Sequence, residues 1–106
     1  ADALAEVFVG PDASVHDLAV RYEMFALAPR YALPNAVIAD HHALLAGVHT
    51  DVLQKSGRLA DPVHVRCLIA VEDGAVMGAL GQHPTEPINA AREALVSVVD
   101  VLAPPN

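Results

Sequence analysis

The segment from Pro62 to Leu80 is apolar on nearly every side, and this property restricts what the chain can fold into. Only His64, Arg66, Glu72 and Asp73 interrupt its apolar surface. A helix on the surface of a small soluble protein normally presents one apolar stripe and one polar face. This helix needs to bury two faces, and a chain of 106 residues has limited interior. We therefore expect the chain's own helices to cover one face and a second copy to cover the other, which predicts an obligate dimer.

The composition supplies apolar material for a core and an interface, and it argues against direct contact with nucleic acid. Hydrophobic residues make up 54% of the chain and charged residues 18%, with a formal net charge of −7 and six Lys and Arg in total. The basic residues are scattered, whereas phosphate binding requires clustered positive charge. No apolar run approaches the ~20 residues that span a bilayer. We expect neither a nucleic-acid surface nor a membrane segment in this sequence.

The single cysteine excludes several kinds of site. Cys67 cannot form an internal disulfide or a cysteine-based zinc site. Its position inside the apolar segment predicts a buried free thiol, which is compatible with a reducing, cytoplasmic location.

Turn signals divide the sequence into helical segments, and no strand-like alternation of useful length occurs between them. Ser14 and Asp17 have the spacing of a capping box, and Asp61-Pro62 pairs an N-cap carboxylate with a proline in the first turn. Pro29 is expected to end the second helix, and Gly57 to cap the third. These signals predict one all-α domain over residues 1–106, with four main helices and an N-terminal stub. The expected segments are 2–9, 14–28, 34–56, 62–80 and about 85–102.

The last two predicted helices are both apolar on two sides. An antiparallel pair of this kind, doubled by a two-fold axis, forms a four-helix bundle between subunits. Gly74 and Gly78 lie four residues apart, which allows a neighbouring backbone to approach closely. Gly47 suggests close packing in the third helix for the same reason. The predicted dimer interface consists of Gly74, Met77, Gly78, Ile88, Ala91, Leu95, Val98 and Leu102.

Three segments make this sequence similar to a known family. They are Arg21-Tyr22-Glu23-Met24-Phe25, the long helix from Pro34, and the run 68–80 with Asp73-Gly74 at its centre. Together they resemble the C-terminal half of TetR-family transcriptional regulators over about residues 21–102. The resemblance implies a homodimer that binds a small, largely apolar effector. It also implies that a separate N-terminal domain, and not this one, contacts DNA. The family's basic helix-turn-helix domain is absent here, so we expect a fragment whose DNA-binding part precedes Ala1.

In regulators of this kind, the effector changes how the two DNA-binding heads are spaced, and a repressor is the expected form. The resemblance places the effector pocket among the helices at 14–28 and 34–56, closed by one face of the helix at 62–80. Pockets for small molecules are mainly apolar with a few placed polar groups. The residues that helical spacing directs towards this pocket are Tyr22, Phe25, Ile38, His42, Leu45, His49, Cys67 and Val71.

Two of these residues, His42 and His49, interrupt an otherwise apolar seam. They are seven residues apart, so they lie on one face of the helix, about 10.5 Å from each other along its axis. They are candidates for satisfied core histidines or for ligand contacts. Histidines this far apart cannot bind one metal ion directly, because a Zn–N bond measures about 2.0–2.1 Å. We expect no metal and no other cofactor.

Asp73 is a second polar outlier in the apolar segment. A buried charge without a partner is costly, so Asp73 is expected to pair with Arg66 or Arg92, or to contact solvent or a ligand. The sequence has no glycine-rich phosphate loop, nucleophile elbow or Glu-x-x-His pair, so we do not expect an enzyme. The alternative function is a small helical homodimer that serves as an interaction or scaffold module and has no ligand pocket.

Overall fold

The computed structural model describes residues 2–10, 14–31, 35–81 and 86–106, without the side chains of 24–31 and 35–38. These residues form five α-helices and no strand, which confirms the predicted all-α fold with a short first helix and four longer ones. The helices are α1 (Asp2–Val9), α2 (Val15–Tyr31), α3 (Asn35–Lys55), α4 (Pro62–Leu80) and α5 (Pro87–Leu102).

The helix α2 is longer than the sequence predicted. It continues through Pro29 to Tyr31, so the expectation that Pro29 ends it is wrong. A proline removes one backbone donor and crowds the preceding turn. The last turn of α2 therefore continues through Pro29 with one backbone hydrogen bond fewer than a regular helix.

The predicted caps are present and have the expected geometry. The backbone N–H of Asp17 donates to Ser14 Oγ at 3.1 Å, and the N–H of Ser14 donates to Asp17 Oδ2 at 3.2 Å. Asp61 Oδ1 accepts from the N–H of Val63 at 2.9 Å. Gly57 has a φ of +74°, a conformation that an L side chain rarely adopts. These local interactions fix where α2 and α4 begin and where α3 ends.

The short helix α1 is part of the core. Leu4, Ala5, Phe8 and Val9 are all buried, and α1 packs against α3, α4 and α5. The helices α4 and α5 make the most extensive contact between any two described helices. The core therefore lies among α1, α3, α4 and α5, and Leu18 is the buried contribution from the described side chains of α2.

The helix α4 buries only one of its two apolar faces within the chain. Its buried residues are Val65, Leu68, Glu72, Val76 and Ala79, which recur at steps of three and four and form one stripe. The opposite face is exposed to solvent and includes Val63, which is 54% exposed, and Met77, which is 56% exposed.

Cys67 lies on this exposed face. The expectation of a buried thiol is therefore wrong for the single chain, because helical rotation directs Cys67 away from the stripe that contains Leu68.

The residues predicted for the dimer interface fall into three groups in the single chain. On α4, Gly74, Met77 and Gly78 are exposed. On α5, Ala91 and Leu95 are fully buried in the core of the single chain. The remaining three, which are half-buried, are Ile88, Val98 and Leu102.

The glycines of α3 and α4 face open space in the single chain. A Cβ atom added at Gly47, Gly74 or Gly78 would meet no atom of the described residues within 4 Å. Within this part of the chain, Gly47 therefore lacks the close packing that the sequence suggested. At Gly74 and Gly78, the open space leaves room for the backbone of another molecule.

The C-terminal segment is held against the loop between α3 and α4. The N–H of Leu59 donates to the carbonyl of Pro104 at 2.9 Å, and the N–H of Asn106 donates to that of Gly57 at 2.8 Å. Arg58 adds hydrogen bonds to Asp100 Oδ1 at 2.8 Å and to the backbone carbonyl of Ala103. This contact joins the end of α5 to the start of α4.

Among the helices that the structure describes, none is both long enough and apolar enough to cross a membrane.

Candidate functional site

A groove between α3 and α4 is the candidate ligand site. Its volume is about 480 Å³. Four of its lining residues are alanines, whose side chains are too short to fill the space between the two helices. The full lining is His42, Ala43, Ala46, Thr50, Ala60, Pro62, Val65, Arg66, Ile69, Ala70 and Asp73.

The groove is apolar along its middle and polar towards its ends. Arg66 and Asp73 are both on α4, seven residues apart, which places them about 10.5 Å from each other along the helix axis. A cation and a carboxylate therefore lie at different positions along the groove, with Ile69 and Ala70 between them.

Asp73 is held by a residue of α2. The hydroxyl of Tyr22 donates to Asp73 Oδ1 at 2.9 Å. Burial, followed by this hydrogen bond, raises the pKa of Tyr22 well above its ordinary value. The sequence predicted that Asp73 pairs with Arg66 or Arg92, or contacts solvent or a ligand. Neither arginine pairs with it among the described contacts, and Arg92 pairs with Asp2 of α1. Asp73 instead borders the groove.

A second polar feature, fully buried, joins α3 to α4. His49 Nε2 lies 2.6 Å from Glu72 Oε2, and both side chains are 0% exposed. His49 Nδ1 lies 2.8 Å from the carbonyl oxygen of Leu45. Since a carbonyl only accepts, Nδ1 carries a proton, and a second proton lies between Nε2 and Oε2. The pair as a whole is therefore neutral, whichever atom holds that second proton.

Glu72 is otherwise poorly supported by its surroundings. Its Oε1 atom is buried and has no hydrogen-bond partner among the described residues. Burial raises the pKa of Glu72, and the hydrogen bond with His49 opposes that rise. Phe8 of α1 packs edge-on against the His49 ring, with ring centroids 6.2 Å apart. The pair is thus enclosed by apolar core. Loss of either side chain would leave the other buried without its side-chain hydrogen-bond partner.

The predicted pocket residues occupy several different environments. His42 lines the groove, and Tyr22 reaches it through Asp73. Leu45 and His49 belong to the core, and Leu45 also borders a smaller cavity of about 220 Å³ beside α1.

The other predicted pocket residues do not line the groove or cannot be described. Cys67 is on the exposed face of α4, and Val71 is half-buried outside the groove. The side chains of Phe25 and Ile38 lie outside the described residues.

Sequence reasoning missed most of the groove lining on α4. Arg66, Ile69 and Asp73 are spaced three and four residues apart, which is the signature of a single helical face. That signal was present, but it was hidden by the apolar residues on every other face of the helix. The described residues contain no group of three or more His, Cys, Asp or Glu side chains that could hold a metal ion.

Comparison with protein families identifies the chain, while comparison with curated proteins and with solved structures gives no significant match. The family described as the tetracyclin repressor-like C-terminal domain matches residues 1–101. The match extends over α1, which the resemblance noted from the sequence left out. The chain therefore belongs to the TetR-like C-terminal domain family, whose members are ligand-binding and dimerisation domains of transcriptional regulators.

Proposed function

We propose that this chain senses a small, largely apolar effector for a transcriptional repressor, and that the effector binds in the groove between α3 and α4. The observation that supports the proposal most directly is the groove itself. Its volume of about 480 Å³ falls within the range of roughly 300–1,000 Å³ that is typical of small-molecule sites. Its apolar lining with a few polar groups is also typical of such sites.

The exposed face of α4 supports a homodimer. Val63 and Met77 expose about half of their apolar surface, and Gly74 and Gly78 leave open space beside them. On α5, Val101 is 77% exposed. A second copy that covers these residues would remove apolar surface from water, which is the main favourable contribution to association.

The position of α4 suggests how an effector could act. Consecutive residues of a helix point about 100° apart, so Asp73 borders the groove while Gly74 lies on the exposed face. A ligand that shifts α4 would also shift the proposed interface. In a dimeric regulator, two DNA-binding domains about 34 Å apart match the two halves of an operator. A shift of the interface would change that distance and weaken DNA binding.

The DNA contact itself belongs to another domain in this proposal. The formal net charge of −7 is unfavourable for binding a phosphate backbone. A cytoplasmic location follows from the proposed role.

Filling the groove should abolish effector binding. Ala70 lines the groove, and Ala70→Phe would place a ring in the space that the effector needs. We expect compounds that raise the Tm of the wild-type protein in a thermal-shift screen to lose that effect in this variant. Ala19→Phe is the matched control, because Ala19 is exposed on α2 and lines none of the described cavities. A hit that stabilises both variants equally would contradict binding in this groove.

A charge on the exposed face of α4 should separate the proposed dimer. Met77→Glu would place a carboxylate in the interface, where burial of an unpaired charge is costly. We expect the wild-type protein to be a dimer by light scattering and Met77→Glu to be a monomer at the same concentration. Val20→Glu on α2, where Val20 is 49% exposed, should remain a dimer. A monomeric wild-type protein would overturn the proposed dimer, and a dimer that no compound stabilises would favour the interaction module.

A further inference from the structure

Among the Lys and Arg side chains that the structure describes, Arg66 alone has no hydrogen-bond or ion-pair partner. It is exposed at the groove and makes no hydrogen bond or ion pair with any described residue. The other four described Lys and Arg residues each contact an acidic or carbonyl oxygen within the chain. These contacts are Arg21 with the carbonyl of Phe8, Lys55 with Asp51, Arg58 with Asp100, and Arg92 with Asp2.

The acidic residues near Arg66 in the sequence are already engaged. Asp61, five residues earlier, caps α4 through the backbone N–H groups of Val63 and His64. Asp73, two turns later, accepts the hydroxyl of Tyr22. In a chain with a formal net charge of −7, an arginine left unpaired beside an apolar groove is available to a ligand's acid group.

We propose that the effector is an amphipathic anion, with a carboxylate at one end of an apolar body. This inference rests on the function proposed above. Its acid group pairs with Arg66, whose planar guanidinium matches a carboxylate in a two-bond geometry. Its apolar body lies along Ala46, Ile69 and Ala70. The carboxylate of Asp73 repels the acid group from the other end of the groove, so the ligand binds in one direction.

Three probes with the same chain and different head groups test this inference: octanoate, octanol and octylamine. Isothermal titration calorimetry of the wild-type protein should give the lowest Kd for octanoate. Added salt should weaken octanoate binding and leave octanol binding nearly unchanged, because salt screens an exposed charge pair.

The variant Arg66→Gln isolates the charge. We expect it to raise the Kd of octanoate about tenfold, the lower end for a charge-assisted hydrogen bond because Arg66 is exposed. The Kd of octanol should stay within about twofold in this variant, which also shows that the groove is still folded. Lys55→Gln makes the same change in charge outside the groove and should leave the Kd of both probes unaltered.

Two different failures can be told apart. If octanol or octylamine binds wild-type protein as tightly as octanoate, or if Arg66→Gln leaves octanoate binding intact, the anion preference is wrong while the groove remains an effector site. If none of the three probes binds, and no compound from the thermal-shift screen depends on Ala70, both the anion preference and the proposed function of the groove are wrong.

Discussion

Replacing His49 with leucine should lower the free energy of unfolding by about 3 kcal/mol, because it leaves the other member of a buried hydrogen-bonded pair without its partner. In the folded chain, Glu72 is 0% exposed and its Oε2 atom lies 2.6 Å from His49 Nε2. Its other oxygen already lacks a partner among the described residues. Without His49, the buried carboxyl group would lose the hydrogen bond that offsets its burial. Chemical denaturation at fixed protein concentration measures the loss.

A double variant separates the pair from the packing around it. In His49→Leu with Glu72→Leu, neither buried polar group remains, and an apolar pair of similar volume often restores the stability lost in the single variant. We expect the double variant to be clearly more stable than His49→Leu. The matched control is His64→Leu, an exposed histidine on α4, which should change stability by no more than about 0.5 kcal/mol. Equal losses in the single and double variants would show that His49 matters for its shape and not for its bond to Glu72.

The parts of the fold that depend on neighbouring residues in the chain could be predicted from the sequence. Ser14, Gly57 and Asp61 act within a few residues of themselves, and their spacing identifies the helix ends without knowledge of tertiary structure. The start of α4 at Pro62 follows directly from such a signal. Pro29 is the exception, because α2 continues two residues beyond it, to Tyr31, despite the missing backbone donor.

The contacts between helices could not be predicted in the same way. His49 and Glu72 each stood out as polar residues on an apolar helix, but they are 23 residues apart. Their pairing depends on how α3 and α4 are rotated about their own axes, and apolar residues on all sides of α4 conceal that rotation. Because the rotation of α4 could not be read from the sequence, Cys67 was predicted to line the pocket and Arg66 was not. A one-residue difference turns a side chain by about 100°, which is enough to move it from the groove to solvent.

Leu95 provides the second large effect, and it tests how α5 is oriented. Leu95 is 0% exposed and belongs to the core cluster that includes Leu4, Leu68 and Val76. Leu95→Ala should lower the free energy of unfolding by about 2–5 kcal/mol, because it removes buried methyl groups and leaves a cavity. Denaturant titration at a fixed protein concentration measures this loss, since unfolding of a dimer depends on concentration.

The adjacent residue supplies the control. Val96 is 64% exposed, so Val96→Ala should cost no more than about 0.5 kcal/mol. Leu95→Ala should also leave the oligomeric state unchanged by light scattering, because the side chain faces the chain's own core and not a partner. If instead Leu95→Ala dissociates a dimer while the monomer keeps its stability, then α5 presents Leu95 to a second copy. The rotation of α5 described above would then be wrong, and the interface expected from the sequence would stand.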